Sequence, residues 1–177
     1  MGRSEIGGGP IPDDPTWIAM STDPLERRMR GTTAHGWIPF DVPYMTEIAP
    51  DLWQGGCETG LKLPGFIKHV VSLYPWERYK THADLRTELY VTMYDSTGQE
   101  TDQVDNIAEW VNQCRKTGPV LVHCQAGLNR SSLVSARAMY LAGDMDTGRD
   151  IVTHLREVRS PAVLCNPSFE DEVLSWR

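Results

Sequence analysis

Apolar positions along this chain follow two different patterns from about residue 46 onward. Short apolar, β-branched runs bounded by Gly, Pro or polar residues are typical of buried strands. Longer stretches in which apolar residues recur every three or four positions are typical of helices that pack on a core. The sequence predicts strands at 51–54, 69–74, 88–94 and 119–123. It predicts helices at 103–116, 131–142 and 147–158, with a last helix from Pro167.

Strands that alternate with helices favour an α/β fold with a central, mostly parallel sheet flanked by helices as a three-layer sandwich. In such folds, ligands bind at the carboxyl ends of the strands. Two residues of interest stand there: Cys124 follows the strand 119–123, and Asp95 follows the strand 88–94. The loop 74–80 is expected on the same rim.

Residues 1–45 have a different character and are interpreted as an N-terminal extension. Residues 1–16 are rich in Gly, Pro and Asp, which predicts a mobile segment. Residues 17–45 carry aromatic residues among prolines, which predicts that they pack on the domain formed by 46–177. A short helix is expected after Asp23 and Pro24, with Asp23 as its N-cap.

Charge and cysteine usage narrow the functional classes. The net charge of −7 disfavours a non-specific nucleic-acid binder and a protein held to acidic membranes by charge. No apolar run approaches the roughly 20 residues of a membrane span. The four cysteines are widely spaced and form no CxxC pair, which favours reduced thiols in the cytoplasm over disulfides or structural zinc.

The stretch PVLVHCQAGLNRSS (119–132) carries the strongest chemical signal. It predicts a buried strand, then a turn from Cys124 to Arg130, then a helix. At such a turn the backbone amides and the helix dipole both favour a bound anion. We therefore expect the segment Gln125, Ala126, Gly127, Leu128, Asn129 and Arg130 to bind a phosphate.

The residues of this turn suit phosphoryl transfer through a cysteine. A Cys124 thiolate at the base of a positive site can attack phosphorus, and Arg130 can pair with two phosphate oxygens. Asp95 is positioned to protonate the leaving group, and Ser131 to hydrogen bond the sulfur. Asp102 and Asp105 are competing carboxylates, but a helix cap and a first helical turn account for them better. We expect no metal or other cofactor, because Arg130 and the amides neutralise the phosphate.

The run HCQAGLNRS resembles the His-Cys-x5-Arg-Ser/Thr signature of cysteine-dependent protein phosphatases, and the order of elements resembles the dual-specificity branch. The resemblance covers about 46–175 and includes EIAPDLWQGG (47–56), GFIKHVVSLY (65–74) and LCNPSFEDEVL (164–174). It implies a cysteine-phosphatase-like fold and a catalytic domain at 46–177. It also implies these roles: Cys124 as nucleophile, Arg130 as phosphate clamp, Asp95 as general acid, Ser131 as an aid to thiolate departure, and His123 as the residue that orders the loop.

One loop position leaves the substrate open. Asn129 stands where this branch more often has Ser, and Gly-x-Asn-Arg also occurs in related RNA 5′-triphosphatases. The leading hypothesis is a monomeric phosphatase that acts on phosphotyrosine and phosphoserine or phosphothreonine in proteins. The same chemistry on RNA 5′-triphosphate or another non-protein phosphate is an alternative, as is a module that binds phosphoproteins without turnover.

Overall fold

A computed structural model describes residues 21–96 and 101–177, so the predicted mobility of 1–16 lies outside the described residues. The first two strands, β1 (Arg28–Thr32) and β2 (Pro39–Pro43), precede the predicted domain. The other strands are β3 (Met45–Ala49), β4 (Leu52–Gly55), β5 (His69–Ser72), β6 (Thr87–Tyr90) and β7 (Val120–His123). The helices are α1 (Thr101–Arg115), α2 (Arg130–Ala142), α3 (Gly148–Val158) and α4 (Pro167–Leu174).

The central sheet has five strands in the order β3-β4-β7-β5-β6. Strand β7 lies in the middle and pairs in parallel with β4 and β5, while β3 alone runs antiparallel to its neighbour. All four residues of β7 are buried, as its continuous apolar run predicts. The prediction of an α/β fold with a mostly parallel sheet is confirmed.

Successive side chains of β7 face opposite sides of the sheet. Val120 and Val122 pack in a core cluster with apolar residues from all four helices. Leu121 packs on the other face, in a smaller cluster with Leu61 and Ile67 from the segment between β4 and β5. The helical layer therefore covers one face, and segments without helix cover the other.

The prediction of a helix after Pro24 is wrong. The amide of Glu26 bonds the carbonyl of Asp23, which closes a single turn, and β1 follows at Arg28. Type I turns also favour Asp at their first position and Pro at their second, so the pair Asp23 and Pro24 is as typical of a turn as of a helix start. The chain then forms an antiparallel hairpin of β1 and β2, which the sequence analysis did not predict.

Two boundaries near the site differ from the prediction. Strand β6 ends at Tyr90, so Asp95 follows a further segment, whose amides at Val91 and Met93 donate to the carbonyls of Ser72 and Leu73 at the end of β5. Helix α1 begins at Thr101, so Asp102 lies in its first turn and is not the N-cap. In the part of the chain that the structure describes, no helix has the length and apolar character needed to cross a membrane.

Candidate active site

Cys124 lies directly after β7, with its side chain enclosed by the turn that follows. The residue is 2% exposed, and its amide donates to the carbonyl of Gly55. Its Sγ lies 3.3 Å from Ser131 Oγ and accepts a hydrogen bond from the Gly127 amide at 3.2 Å. The Gly127 amide therefore donates to the sulfur, and the Ser131 hydroxyl lies within hydrogen-bond distance of it.

The carbonyls of the loop 124–129 all point away from its centre. Each accepts a bond: Cys124 O from His123, Gln125 O from Cys57, Ala126 O from Arg159, Gly127 O from Arg159 and Gln54, Leu128 O from Ser132 and Leu164, and Asn129 O from Leu133. In a trans peptide the N–H points opposite to the C=O. The amides of 125–130 therefore point inward, the orientation that the predicted anion cradle requires.

Two glycines permit this shape. Gly127 has a φ of 70°, a left-handed conformation that side chains disfavour. Gly56 directly follows β4 and packs against the loop. A Cβ added to Gly56 would come within 2.5 Å of the Gln125 carbonyl oxygen. Any larger residue at Gly56 would push the cradle out of position.

Arg159 lies beneath the loop, and the sequence analysis gave it no role. It is 7% exposed, and its guanidinium donates to the carbonyls of Gly127 at 2.6 Å, Ala126 at 3.1 Å and Pro43 at 2.9 Å. Burial lowers the pKa of Arg159 to about 10, so it is still protonated at neutral pH. No motif spacing marks this arginine in the sequence, because its partners are backbone carbonyls and the Thr46 hydroxyl, all from distant segments.

Arg130 is the first residue of α2 and faces the cradle. Its Nη1 donates to the Met93 carbonyl at 3.1 Å, which fixes the guanidinium beside the segment that leads to Asp95. The guanidinium carbon lies 5.2 Å from the centre of the Tyr74 ring, so the loop 74–80 reaches the rim as predicted. Its Nε is buried and has no hydrogen-bond partner among the described residues. A phosphate oxygen would satisfy this donor.

Asp95 is held next to the loop by two amide side chains. Asn129 Nδ2 donates to one carboxylate oxygen at 3.1 Å, and Asn166 Nδ2 donates to the other at 2.8 Å. The competing carboxylates lie elsewhere: Asp105 accepts a bond from Arg137, and Asp102 is exposed on α1. The sequence gave no role to Asn166, which also caps α4 by accepting from the Ser168 amide.

His123 lies under the loop and does not face the cradle. Its Nδ1 lies 3.1 Å from the carbonyl oxygen of Cys124, so the ring donates there and helps to hold the peptide. Burial lowers the pKa of His123 to about 4, against a smaller opposing effect of that hydrogen bond. The neutral ring also meets the edge of Tyr79, with 5.5 Å between the ring centres. This geometry suits an ordering role.

A cavity of about 320 Å³ opens above Cys124. Its walls bring Asp95, Cys124 and Arg130 together with the loop residues Gln125, Ala126, Leu128 and Asn129. The opposite wall comes from the N-terminal hairpin: Met29, Arg30, Thr32, Thr33, Ala34 and Phe40. Sequence reasoning missed this wall because β1 and β2 were not recognised as strands.

Residues 65–177, more than half of the chain, match the family model of the dual specificity phosphatase catalytic domain. The chain belongs to this family. It is a hydrolase of the protein-tyrosine and dual-specificity phosphatase class. The dual specificity protein phosphatase OPG106 of Vaccinia virus is similar, with 24% identity over 144 residues, which cover 73% of this chain and 80% of the viral protein.

Solved structures of such phosphatases share the fold. Human DUSP28 has a TM-score of 0.60 and 15% identity, with coverage of 75% of this chain and 93% of its own. The human tyrosine phosphatase-like serine/threonine/tyrosine-interacting protein has a TM-score of 0.60 and 22% identity, covering 73% and 92%. The resemblance to the dual-specificity branch that the sequence indicates is thus confirmed. The roles of the individual residues stay predictions.

Proposed function

We propose that this phosphatase hydrolyses phosphomonoesters of tyrosine, serine and threonine in proteins through a phosphocysteine on Cys124. The observation that carries the proposal is the position of the Cys124 sulfur, which lies beneath inward-facing amides and next to Arg130, whose Nε has no protein partner in the described chain. This combination suits a dianionic phosphate above a nucleophile.

In the first step the Cys124 thiolate attacks phosphorus, an S–P bond forms, and the P–O bond to the leaving group breaks. Asp95 gives its proton to the departing oxygen. Arg130 and the loop amides hold the three equatorial oxygens throughout. In the second step a water attacks phosphorus, Asp95 takes the water proton, and the S–P electron pair returns to sulfur. Ser131 donates a hydrogen bond that stabilises the thiolate as it leaves.

The contacts of Asn129 bear on the alternative substrates. Its side chain bonds Asp95, and its Oδ1 accepts from the Asn166 amide at 2.9 Å. These two contacts account for Asn129 without any role in recognising RNA, so they support a phosphoprotein over an RNA 5′-triphosphate.

The proposal also takes the enzyme to be a monomer of the cytoplasm. All four cysteines are free, which fits a reducing compartment.

The test is a panel of phosphotyrosine, phosphoserine and phosphothreonine peptides, phosphoinositides and triphosphorylated RNA, assayed with EDTA. We expect turnover of the phosphopeptides by the wild type and none by Cys124→Ser, which should still bind them because the cradle is intact. Acid quenching of the wild type with labelled phosphopeptide should trap label on Cys124. Turnover by Cys124→Ser above about a hundredth of the wild-type rate would contradict the covalent mechanism.

The role of Asp95 has a matched control in Asp105. Asp95→Asn should lower kcat on phenyl phosphate by ~10² or more, because the leaving phenoxide then departs without a proton. Dinitrophenyl phosphate has a stable leaving anion, so the same variant should lose much less on it. Asp105→Asn, which breaks only the contact with Arg137, should leave both rates near the wild type. A large loss on phenyl phosphate in Asp105→Asn, with none in Asp95→Asn, would show that Asp105 is the general acid.

A further inference from the structure

A third side chain contacts the Asp95 carboxylate, and it comes from the N-terminal hairpin. His35 Nε2 lies 3.4 Å from Asp95 Oδ1, on the oxygen that also accepts from Asn166. His35 lies in the turn that joins β1 to β2. The hairpin precedes residue 65, where the match to the family model begins, so His35 belongs to the part of the chain outside that match.

The turn that carries His35 is tightly tied. Thr33 is 6% exposed, and its Oγ1 donates to the His35 carbonyl at 2.6 Å and accepts from the Ile38 amide at 2.9 Å. The Thr33 amide also bonds the Ile38 carbonyl at 2.9 Å. These bonds fix the backbone of His35 relative to β1 and β2.

The base of the hairpin is anchored to the phosphate loop. The Pro43 carbonyl at the end of β2 accepts from Arg159, the same guanidinium that holds the Ala126 and Gly127 carbonyls. The hairpin is thus bound at its base to the support of the cradle and at its tip to Asp95. Between these points it lines the cavity above Cys124.

We propose that His35 is a positioning residue for Asp95 and that the hairpin of β1 and β2 is a working part of the active site. The proposal rests on the proposed role of Asp95 as general acid. Asn129 and Asn166 hold the carboxylate from the side of the loop, and His35 holds it from the side of the hairpin. These contacts on both sides keep the carboxylate within reach of the leaving oxygen. A small displacement of the carboxylate would lower the rate strongly.

The test compares His35→Ala and His35→Gln on phenyl phosphate and dinitrophenyl phosphate, each in the wild-type and the Asp95→Asn background. Because His35 acts through proton donation, His35→Ala should lower kcat about tenfold on phenyl phosphate and less than about threefold on dinitrophenyl phosphate. His35→Gln, whose amide offers a donor at a similar reach, should recover most of the loss. In the Asp95→Asn background, His35→Ala should change kcat by less than about twofold, because the group it positions is gone.

Trp37→Ala is the matched control, since Trp37 lies in the same turn and is 80% exposed. It should leave both rates within about twofold of the wild type. The proposal is overturned if Trp37→Ala reproduces the loss, if His35→Ala lowers both rates equally, or if the loss persists in full beside Asp95→Asn. A wild type that hydrolyses neither ester would overturn the proposed function and this inference together. A fully active wild type with an equally active His35→Ala would overturn the inference alone.

Discussion

Arg159 and Gly127 are in direct contact beneath Cys124. The Nε–H of Arg159 donates to the Gly127 carbonyl at 2.6 Å, and a Cβ on Gly127 would come within 2.5 Å of Nη2. The Cys124 thiolate stabilises the protonated guanidinium, which opposes the effect of burial on the pKa of Arg159. One buried cation thus holds the loop in shape and interacts with the Cys124 sulfur.

Arg159→Met should therefore damage both stability and catalysis. It leaves the Ala126 carbonyl without its donor and the Gly127 carbonyl with Gln54 alone, which should lower the free energy of unfolding by about 3 kcal/mol. Because the amides would lose their alignment, phosphate affinity should fall as well. Urea unfolding and phosphate titration measure the two effects. Arg149→Met, on the exposed side of α3, should change stability by no more than about 0.5 kcal/mol. Equal effects of the two substitutions would contradict the role of Arg159.

Arg130→Lys should cost at least ~10² in kcat/KM, since an ammonium cannot pair with two phosphate oxygens as the guanidinium fork does. The variant should fold normally, because only one of the Arg130 donors bonds the protein in the described structure, at Met93. Arg137→Lys is the control, on the same helix and in an ion pair with Asp105. It should keep kcat/KM within about twofold. A loss below tenfold in Arg130→Lys would mean that another group binds the phosphate.

The four thiols should differ in reactivity towards iodoacetate at pH 6. Cys124 should react first, because it lines the cavity and its Sγ accepts a hydrogen bond from the Gly127 amide. Burial raises the pKa of Cys57 to about 12 and also raises the pKa of Cys114, so both should stay unmodified. Vanadate should protect Cys124, and peptide mapping identifies the labelled site. Equal labelling of Cys57 and Cys124 would contradict an activated nucleophile.

The sequence predicted the local structure correctly where that structure depends on residues close together along the chain. The run from His123 to Ser131 predicts a strand, a loop and a helix, and all three are present because local spacing determines them. The positions of β4 to β7 and of α2 and α3 follow for the same reason, whereas β3 was not predicted.

It was uninformative wherever contacts join distant segments. Arg159 binds backbone carbonyls of the loop and of β2. Every residue has a backbone carbonyl, so the types of side chain in the sequence do not indicate such a partner. Similarly, His35 approaches Asp95 only because β1 and β2 pair, and β1 carries two arginines and few apolar residues. The hairpin depends on tertiary packing that a single sequence does not display.

The stability of the protein should fall in mildly acidic solution because of His123. Its pKa is lowered by burial from the ordinary value of 6.5 to about 4, so between these values the unfolded chain binds a proton that the folded chain does not. The contribution of the neutral ring is therefore complete above about pH 6.5 and is lost as the pH falls towards 4. In total this can reach on the order of 3 kcal/mol.

The matched variant is His123→Asn, which cannot titrate but keeps a donor near the Cys124 carbonyl. Urea unfolding at pH 7 and pH 5 gives the change in stability for each protein. The wild type should lose about 2 kcal/mol more than His123→Asn between these two values, because only the wild type has the buried imidazole. His69, whose pKa is also lowered by burial, is present in both proteins, so its contribution cancels in the comparison. The same loss in both proteins would show that the ring of His123 is not kept neutral by burial, and that its ordering of the loop does not depend on the uncharged form.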